Sequence, residues 1–281
     1  MTDTISVTWQ LSGFGDEIDA DPAVQVAVLQ ALGANHIEVR SAWDTNVVDM
    51  SPAQLDSLAT LFTQKGMGVS AIASPIGKVD VDLPVDHEVA RLHKAITAAH
   101  TLAAKYIRIF SFYHPGRDAA AVRTDVLTRM SALAAAAEDA GVVLLHENEK
   151  HIYGDTPERV LDIIETVNSP ALRVAWDAAN FVQVGVKPFD SAYPLLREHV
   201  EYLQVKDALL VDATVRPAGQ GDGQLPQTVA ALRESGYSGF ASLEPHLSGA
   251  FGLGGFSGPA AFGVAARAFA QVAENAKVDL A

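Results

Sequence analysis

Four oxygen-bearing side chains close four successive apolar runs in the second half of this 281-residue chain. They are Glu147 in VVLLHENE, Asp177 in LRVAWDAAN, Gln204 in VEYLQVKD and Glu244 in GFASLEPH. Each run is apolar enough to be buried, and each leads into a loop and then a helical pattern. Oxygen ligands delivered from four neighbouring strand ends are what a hard divalent cation takes. Three carboxylates gathered without one would repel, and a cation removes that penalty and holds them in place. All-oxygen ligation suits Mg2+ or Mn2+, with Co2+ a further option. The plainer alternative is that each carboxylate caps a nearby helix or pairs with a Lys or Arg.

Whether the four meet depends on the elements that carry them. Short apolar runs recur along the chain at 8–14, 36–40, 68–74, 106–112, 142–147, 173–177, 201–207 and 240–244. They are apolar on both faces for most of their length, as strands of a covered parallel sheet are. Helical patterns separate them, near 22–32, 52–65, 86–104, 118–140, 157–167, 190–198, 225–235 and 259–275. Asp21–Pro22, Ser51–Pro52 and Thr156–Pro157 read as helix starts, and Gly66 and Gly141 as helix stops. Eight such units in one chain predict an α/β fold, a single (β/α)8 TIM barrel spanning 1–281 with no linker-like break. The rival open doubly wound sheet asks for a G-x-G-x-x-G turn after its first strand, and SGFGDEID lacks that spacing. In a barrel the C-terminal strand ends make the site, so Glu147, Asp177 and Glu244 end strands five, six and eight, with Gln204 inside strand seven.

Composition narrows the function. A 49% hydrophobic content supplies a large core, and a net charge of −14 argues against nucleic acid as a partner. The chain has no cysteine, which removes disulfides and thiolate metal sites. MTDTISVTWQ has neither a basic start nor an apolar stretch of a signal peptide. No apolar run reaches the roughly 20 residues of a membrane span. A cytoplasmic protein without a membrane partner is the expectation.

At this point the residues resemble a known family, the sugar phosphate isomerase/epimerase family of xylose isomerase-like TIM barrels. The resemblance rests on GFGDEI (13–18), IEVR (37–40), SPIGK (74–78), HENE (146–149), WDAANF (176–181), QVKDA (204–208), GQGDG (219–223), LEPH (243–246) and GGFSGP (254–259). It implies one divalent metal, Mn2+ or Mg2+, on Glu147, Asp177, Gln204 and Glu244. Gln204 departs from the pattern, because His is usual there; its amide oxygen is a weaker, neutral ligand. The implied chemistry is proton abstraction beside a carbonyl through a metal-stabilised enediolate, in a sugar isomerase or epimerase. The same abstraction on a 3-keto-glycoside gives β-elimination, so a lyase such as the catalytic subunit of a C-glycoside deglycosidase is the alternative. A DNA-repair enzyme of the AP-endonuclease type fits the acidic charge less well. Expected partners are a small-molecule sugar or keto-glycoside, with a homo-oligomer or a small partner subunit as further options.

Glu147 and Glu244 are the carried-over acid–base candidates, beside the imidazoles His146 and His246. Strand alternation sends His146 to the face opposite Glu147, as a core histidine, unless the strand bulges. Glu38, Lys78, Arg108, His114, Glu149, Asn180 and Lys206 are candidates for substrate contact, with Trp43 at the mouth. Glu38 and Arg40 share a strand face and read as a buried ion pair. Trp9 and Trp176 read as barrel packing. GQGDG and GLGGFSG lack phosphate-loop spacing and read as rim loops.

Overall fold

The computed structural model describes residues 7–247 and 257–281, and it is a parallel α/β barrel. Its strands are β1 (Val7–Gly13), β2 (His36–Val39), β3 (Gly68–Ala73), β4 (Tyr106–Ile109), β5 (Val143–Glu147), β6 (Leu172–Asp177), β7 (Val200–Val205) and β8 (Phe240–Leu243). β2 through β8 pair in chain order, and β8 pairs with β1, every ladder parallel. The Phe14–Glu38 bridge brings β1 to β2 and closes the circle. A short β9 (Val278–Leu280) lies along the other edge of β1.

Four of the described α-helices start on a side-chain cap. The Asp21 carboxylate caps α1 (Pro22–Ala31) by accepting from the Ala23 amide. Ser51 and Gln54 build a reciprocal capping box on α2 (Pro52–Lys65), which stops at the left-handed Gly66. Next come α3 (Val85–Thr101), α4 (Ala119–Asp139), capped by Asp118, and α5 (Pro157–Val167). A short α6 (Ala178–Gln183) starts directly on Asp177, and its six residues are too few to leave a periodic trace in the sequence. α7 (Tyr193–Leu196), α8 (Leu225–Glu234) and α9 (Gly258–Asn275) complete the set. Among the described residues no helix is long and apolar enough to cross a membrane. The GLGGFSG segment and the GGFSGP motif lie outside the described residues up to Ser257.

Two strands stop earlier than their apolar runs. β4 ends at Ile109 because the Phe110 and Phe112 amides turn to the Ile76 and Gly77 carbonyls of the preceding loop. β7 ends at Val205, and Asp207–Ala208 pairs antiparallel with Val215–Arg216. The Asp207 carboxylate then gathers the amides of Gly219, Gly221 and Gly223, which fixes the GQGDG loop as a closed turn.

Inside the barrel, side chains stack in layers that follow the two-residue strand period. Ala71, Tyr106, Leu145, Ala175 and Tyr202, from five strands, make an apolar floor. Above it runs a polar chain: Ser12 to Ser70 (2.6 Å), Ser70 to the Tyr202 hydroxyl (2.8 Å), and that hydroxyl to Glu38 (2.9 Å). Glu147 and Asp177 stand two residues beyond Leu145 and Ala175, one layer higher. Trp9 and Trp176 are fully buried packing residues.

Candidate active site

Alternation along β5, β6 and past the end of β8 turns Glu147, Asp177 and Glu244 to the barrel's C-terminal mouth, all three buried. One carboxylate oxygen from each lies within 4.8 Å of the others. Asp177 divides its work: Oδ1 accepts from the Asn180 amide at 2.8 Å, capping α6, and Oδ2 is left for the barrel interior. Asn148 ties the two strands together, its side chain bonding both the amide and the carbonyl of Asp177. Asn180 donates to Glu147 Oε1 at 2.9 Å.

Cations surround the triad. Lys206 Nζ lies 2.8 Å from Asp177 Oδ2 and 2.9 Å from Glu244 Oε2. Arg108 Nε lies 3.3 Å from Glu147 Oε2. Arg40 reaches Glu244 Oε1 at 2.9 Å and Asp16 at 2.7 Å, with its guanidinium over the Phe14 ring. His246 Nε2 is 3.1 Å from Glu244 Oε1 and 3.4 Å from Glu17. The plain expectation, that each carboxylate caps a helix or meets a cation, is therefore met at each of the three, and they also converge.

This balance separates the carboxyl groups. Burial opposes the charge on Glu244, yet Lys206, His246 and Arg40 together hold it well below the usual carboxylate range. Burial pushes Glu147 up, and Arg108 only partly offsets it. Burial likewise works against the Lys206 ammonium, and the carboxylates of Asp177, Glu244, Glu147 and Glu149 more than compensate. Glu38, in the layer below, is pushed up to about 7 by burial.

A cavity of about 340 Å3 opens above the triad, lined among others by Arg40, Lys78, Arg108, Glu147, Glu149, Lys206, Glu244 and His246. Lys78 pairs with Glu149 at 3.0 Å and sits over the Phe110 ring. The Lys78 loop is held by Gly77, whose left-handed φ of 84° and contact with the Phe110 carbonyl leave no room for a Cβ. Gly77→Ala is expected to cost about 2–4 kcal/mol in urea unfolding. A loss under about 0.5 kcal/mol would contradict that role.

Gln204, Glu38, His114, Trp43 and His146 do not line the triad cavity. Gln204 is buried in the barrel, with Nε2 turned to Glu38 at 3.4 Å and Oε1 without a hydrogen-bond partner. Glu38 does not pair with Arg40; it accepts from Tyr202, while Arg40 reaches past it to Asp16 and Glu244. His114 belongs to a neighbouring cavity of about 610 Å3 with Asp80, Tyr113, Arg117 and His151. His146 packs against Gly154 behind β5, as alternation requires, and neither ring nitrogen has a hydrogen-bond partner.

His146 makes a test of that placement. Burial pushes its pKa down to about 3, so the folded protein refuses a proton that the unfolded chain accepts below about 6.5. Its neutral ring carries no penalty above pH 6.5, and stability should fall by about 1.4 kcal/mol per pH unit as pH drops toward 3. His146→Leu should flatten that acid slope in urea titrations. An unchanged slope would contradict it.

Several residues gave no clear functional sign in the sequence. Asp16 and Glu17 follow β1 and anchor Arg40 and His246. Glu17 also accepts from the Ser257 hydroxyl at 2.7 Å and from the His246 and Ser257 amides, holding both ends of the segment between them. An acidic pair directly after an apolar first strand was the available signal.

A family model described as xylose isomerase-like TIM barrel matches residues 26–269. No curated protein sequence matches the chain. Among solved structures, the IOLI protein with a binding zinc atom superposes with a TM-score of 0.76 at 18% identity, covering 94% of this chain and 97% of that one. A xylose isomerase-like TIM barrel protein from Mycobacterium smegmatis, in complex with magnesium, gives 0.72 at 17% identity, covering 96% and 97%. The 3-keto-D-glucoside 4-epimerase of E. coli gives 0.72 at 12% identity, covering 95% and 100%. At these identities the structural likeness speaks for the fold.

Proposed function

We propose, since the chain belongs to the xylose isomerase-like TIM barrel family, that it is a divalent-metal-dependent sugar isomerase or epimerase. The observation that carries this reading is the buried Glu147–Asp177–Glu244 cluster at the barrel mouth, beneath a polar cavity of about 340 Å3. The donor set fits a hard cation. Glu147 Oε2 and Asp177 Oδ2 are buried and face only the cations Arg108 and Lys206, and Gln204 Oε1 is a buried oxygen with no hydrogen-bond partner. Glu147, Asp177 and Glu244 would hold the ion, with Gln204 as the fourth, neutral ligand. Mn2+ and Mg2+ suit these oxygens best, with Co2+ a further option. The zinc and magnesium named for two structural neighbours support a divalent ion without selecting one. Such an ion supplies Lewis acidity toward a sugar carbonyl and its adjacent hydroxyl.

The chain's own residues divide the proton work by their environments. Glu147, which lines the cavity between the Asn180 amide and the Arg108 guanidinium, is the proton acceptor. Glu244, held ionised by Lys206, Arg40 and its hydrogen bond with His246, is the anionic anchor. His246, 3.1 Å from Glu244, is the second proton carrier. Lys78, Arg108 and Glu149 line the cavity as hydrogen-bonding partners for sugar hydroxyls.

A β-eliminating lyase on 3-keto-glycosides is the second reading, and one observation favours it. The 610 Å3 cavity with Asp80, Tyr113 and His151 is built from the same loops that place Lys78 and Lys150. It offers space for a group attached to the sugar. The 3-keto sugar in one neighbour's name agrees with that choice of ring.

One experiment covers both readings. Keto-sugars and 3-keto-glycosides are incubated with the Mg2+-loaded protein in D2O and followed by NMR. Deuterium beside the carbonyl in recovered sugar marks the epimerase, and release of the aglycone marks the lyase. Turnover that persists undiminished in EDTA would overturn the metal-dependent reading.

A further inference from the structure

We propose that Lys206 is a resident counter-cation of the carboxylate triad, and that a divalent ion enters only by displacing its ammonium into the substrate cavity. The inference rests on the reading of the triad as a divalent-ion site. Lys206 Nζ lies 2.8 Å from Asp177 Oδ2 and 2.9 Å from Glu244 Oε2, and the side chain is 6% exposed. An Mg2+ or Mn2+ ion binding those same two oxygens sits roughly 2.0–2.2 Å from each. The two cations claim one place, and their repulsion at that range excludes joint occupancy.

The surroundings show where the ammonium goes. Lys206 follows the last residue of β7 and lines the cavity together with Glu149, whose carboxylate already acts on its ammonium. Its four-carbon stem allows the swing. The other cations do not compete in the same way. Arg40 holds Glu244 through Oε1, the oxygen that Lys206 does not use, and it keeps Asp16 in any case. Gln204, two residues before Lys206, adds no charge to favour the ion. Metal loading therefore has two consequences: affinity is lowered by the competing lysine, and the displaced ammonium is delivered to the substrate.

Mn2+ titration of the purified full chain, read by the EPR signal of free Mn2+, tests this. Lys206→Met should bind Mn2+ about tenfold more tightly than wild type or better, since the competitor is gone. Equal or weaker binding by the variant would overturn the inference while leaving the metal reading standing. Binding by neither protein would overturn both. A second measurement on the wild type does not depend on the variant folding. Amine-reactive labelling with peptide mass spectrometry should find Lys206 protected in EDTA and several-fold more reactive with Mn2+, with Lys78 and Lys150 as cavity references. Protection that is unchanged by Mn2+ would overturn displacement.

Discussion

Glu244→Gln is expected to reduce turnover by roughly a thousandfold or more while the barrel still folds. Glu244 is where two cations and an imidazole meet: Lys206 at 2.9 Å, Arg40 at 2.9 Å and His246 at 3.1 Å. A neutral amide removes the one carboxylate of the triad that stays firmly ionised, and with it an anionic ligand and the anchor of Arg40 and His246. Loss of electrostatic stabilisation at such a position costs about 10²–10³ in rate, and misplacing the flanking groups adds to it. The fold persists because each of these groups retains another partner: Asp177 for Lys206, Asp16 for Arg40 and Glu17 for His246. Circular dichroism and size-exclusion profiles should match wild type, with thermal unfolding a few degrees lower. Turnover within about tenfold of wild type would remove Glu244 from the mechanism.

Glu147→Gln should show a different profile. The exchange is nearly isosteric, and Asn180 and Arg108 border the site on either side. The variant is expected to bind Mn2+ about 10–100-fold more weakly, a neutral amide oxygen replacing one anionic ligand while Asp177 and Glu244 remain, and it is assayed at saturating Mn2+. Its rate of deuterium incorporation beside the carbonyl should fall by about 10²–10⁴, the usual contribution of a positioned base. The loss of exchange at saturating Mn2+ is the signature of a proton carrier. Exchange that recovers at saturating Mn2+ would make Glu147 a ligand only, and the base would have to be sought at His246.

Much of the barrel was legible because its signals are local. Apolar runs bounded by Asp-Pro, Ser-Pro and Gly place most elements within a few residues, and strand alternation puts Leu145 and Glu147 on one side and His146 on the other. Three strand-end carboxylates follow from the same rule once the barrel is closed. What was not legible is what happens in the mouth. The 204/206 spacing puts Gln204 and Lys206 on one face, but it does not say that the long lysine stem reaches between Asp177 and Glu244. Arg40 was read against its neighbour Glu38, two residues away, and its actual partner Glu244 is brought near only by closure of the barrel. The apolar run at 106–112 gave no hint that Phe110 and Phe112 turn their amides to the preceding loop. His246 reaches Glu244 through a left-handed residue conformation with φ 47°, which the sequence LEPHL does not announce.

The central claim is that Glu147, Asp177 and Glu244 share a divalent ion. It is tested most directly by an anomalous difference map from Mn2+-soaked crystals, with data collected on the high-energy side of the manganese K edge. The expected result is one strong peak within about 2.0–2.3 Å of an oxygen from each of the three carboxylates. A map with no peak there at saturating Mn2+, and with the Lys206 ammonium still between Asp177 and Glu244, would contradict it.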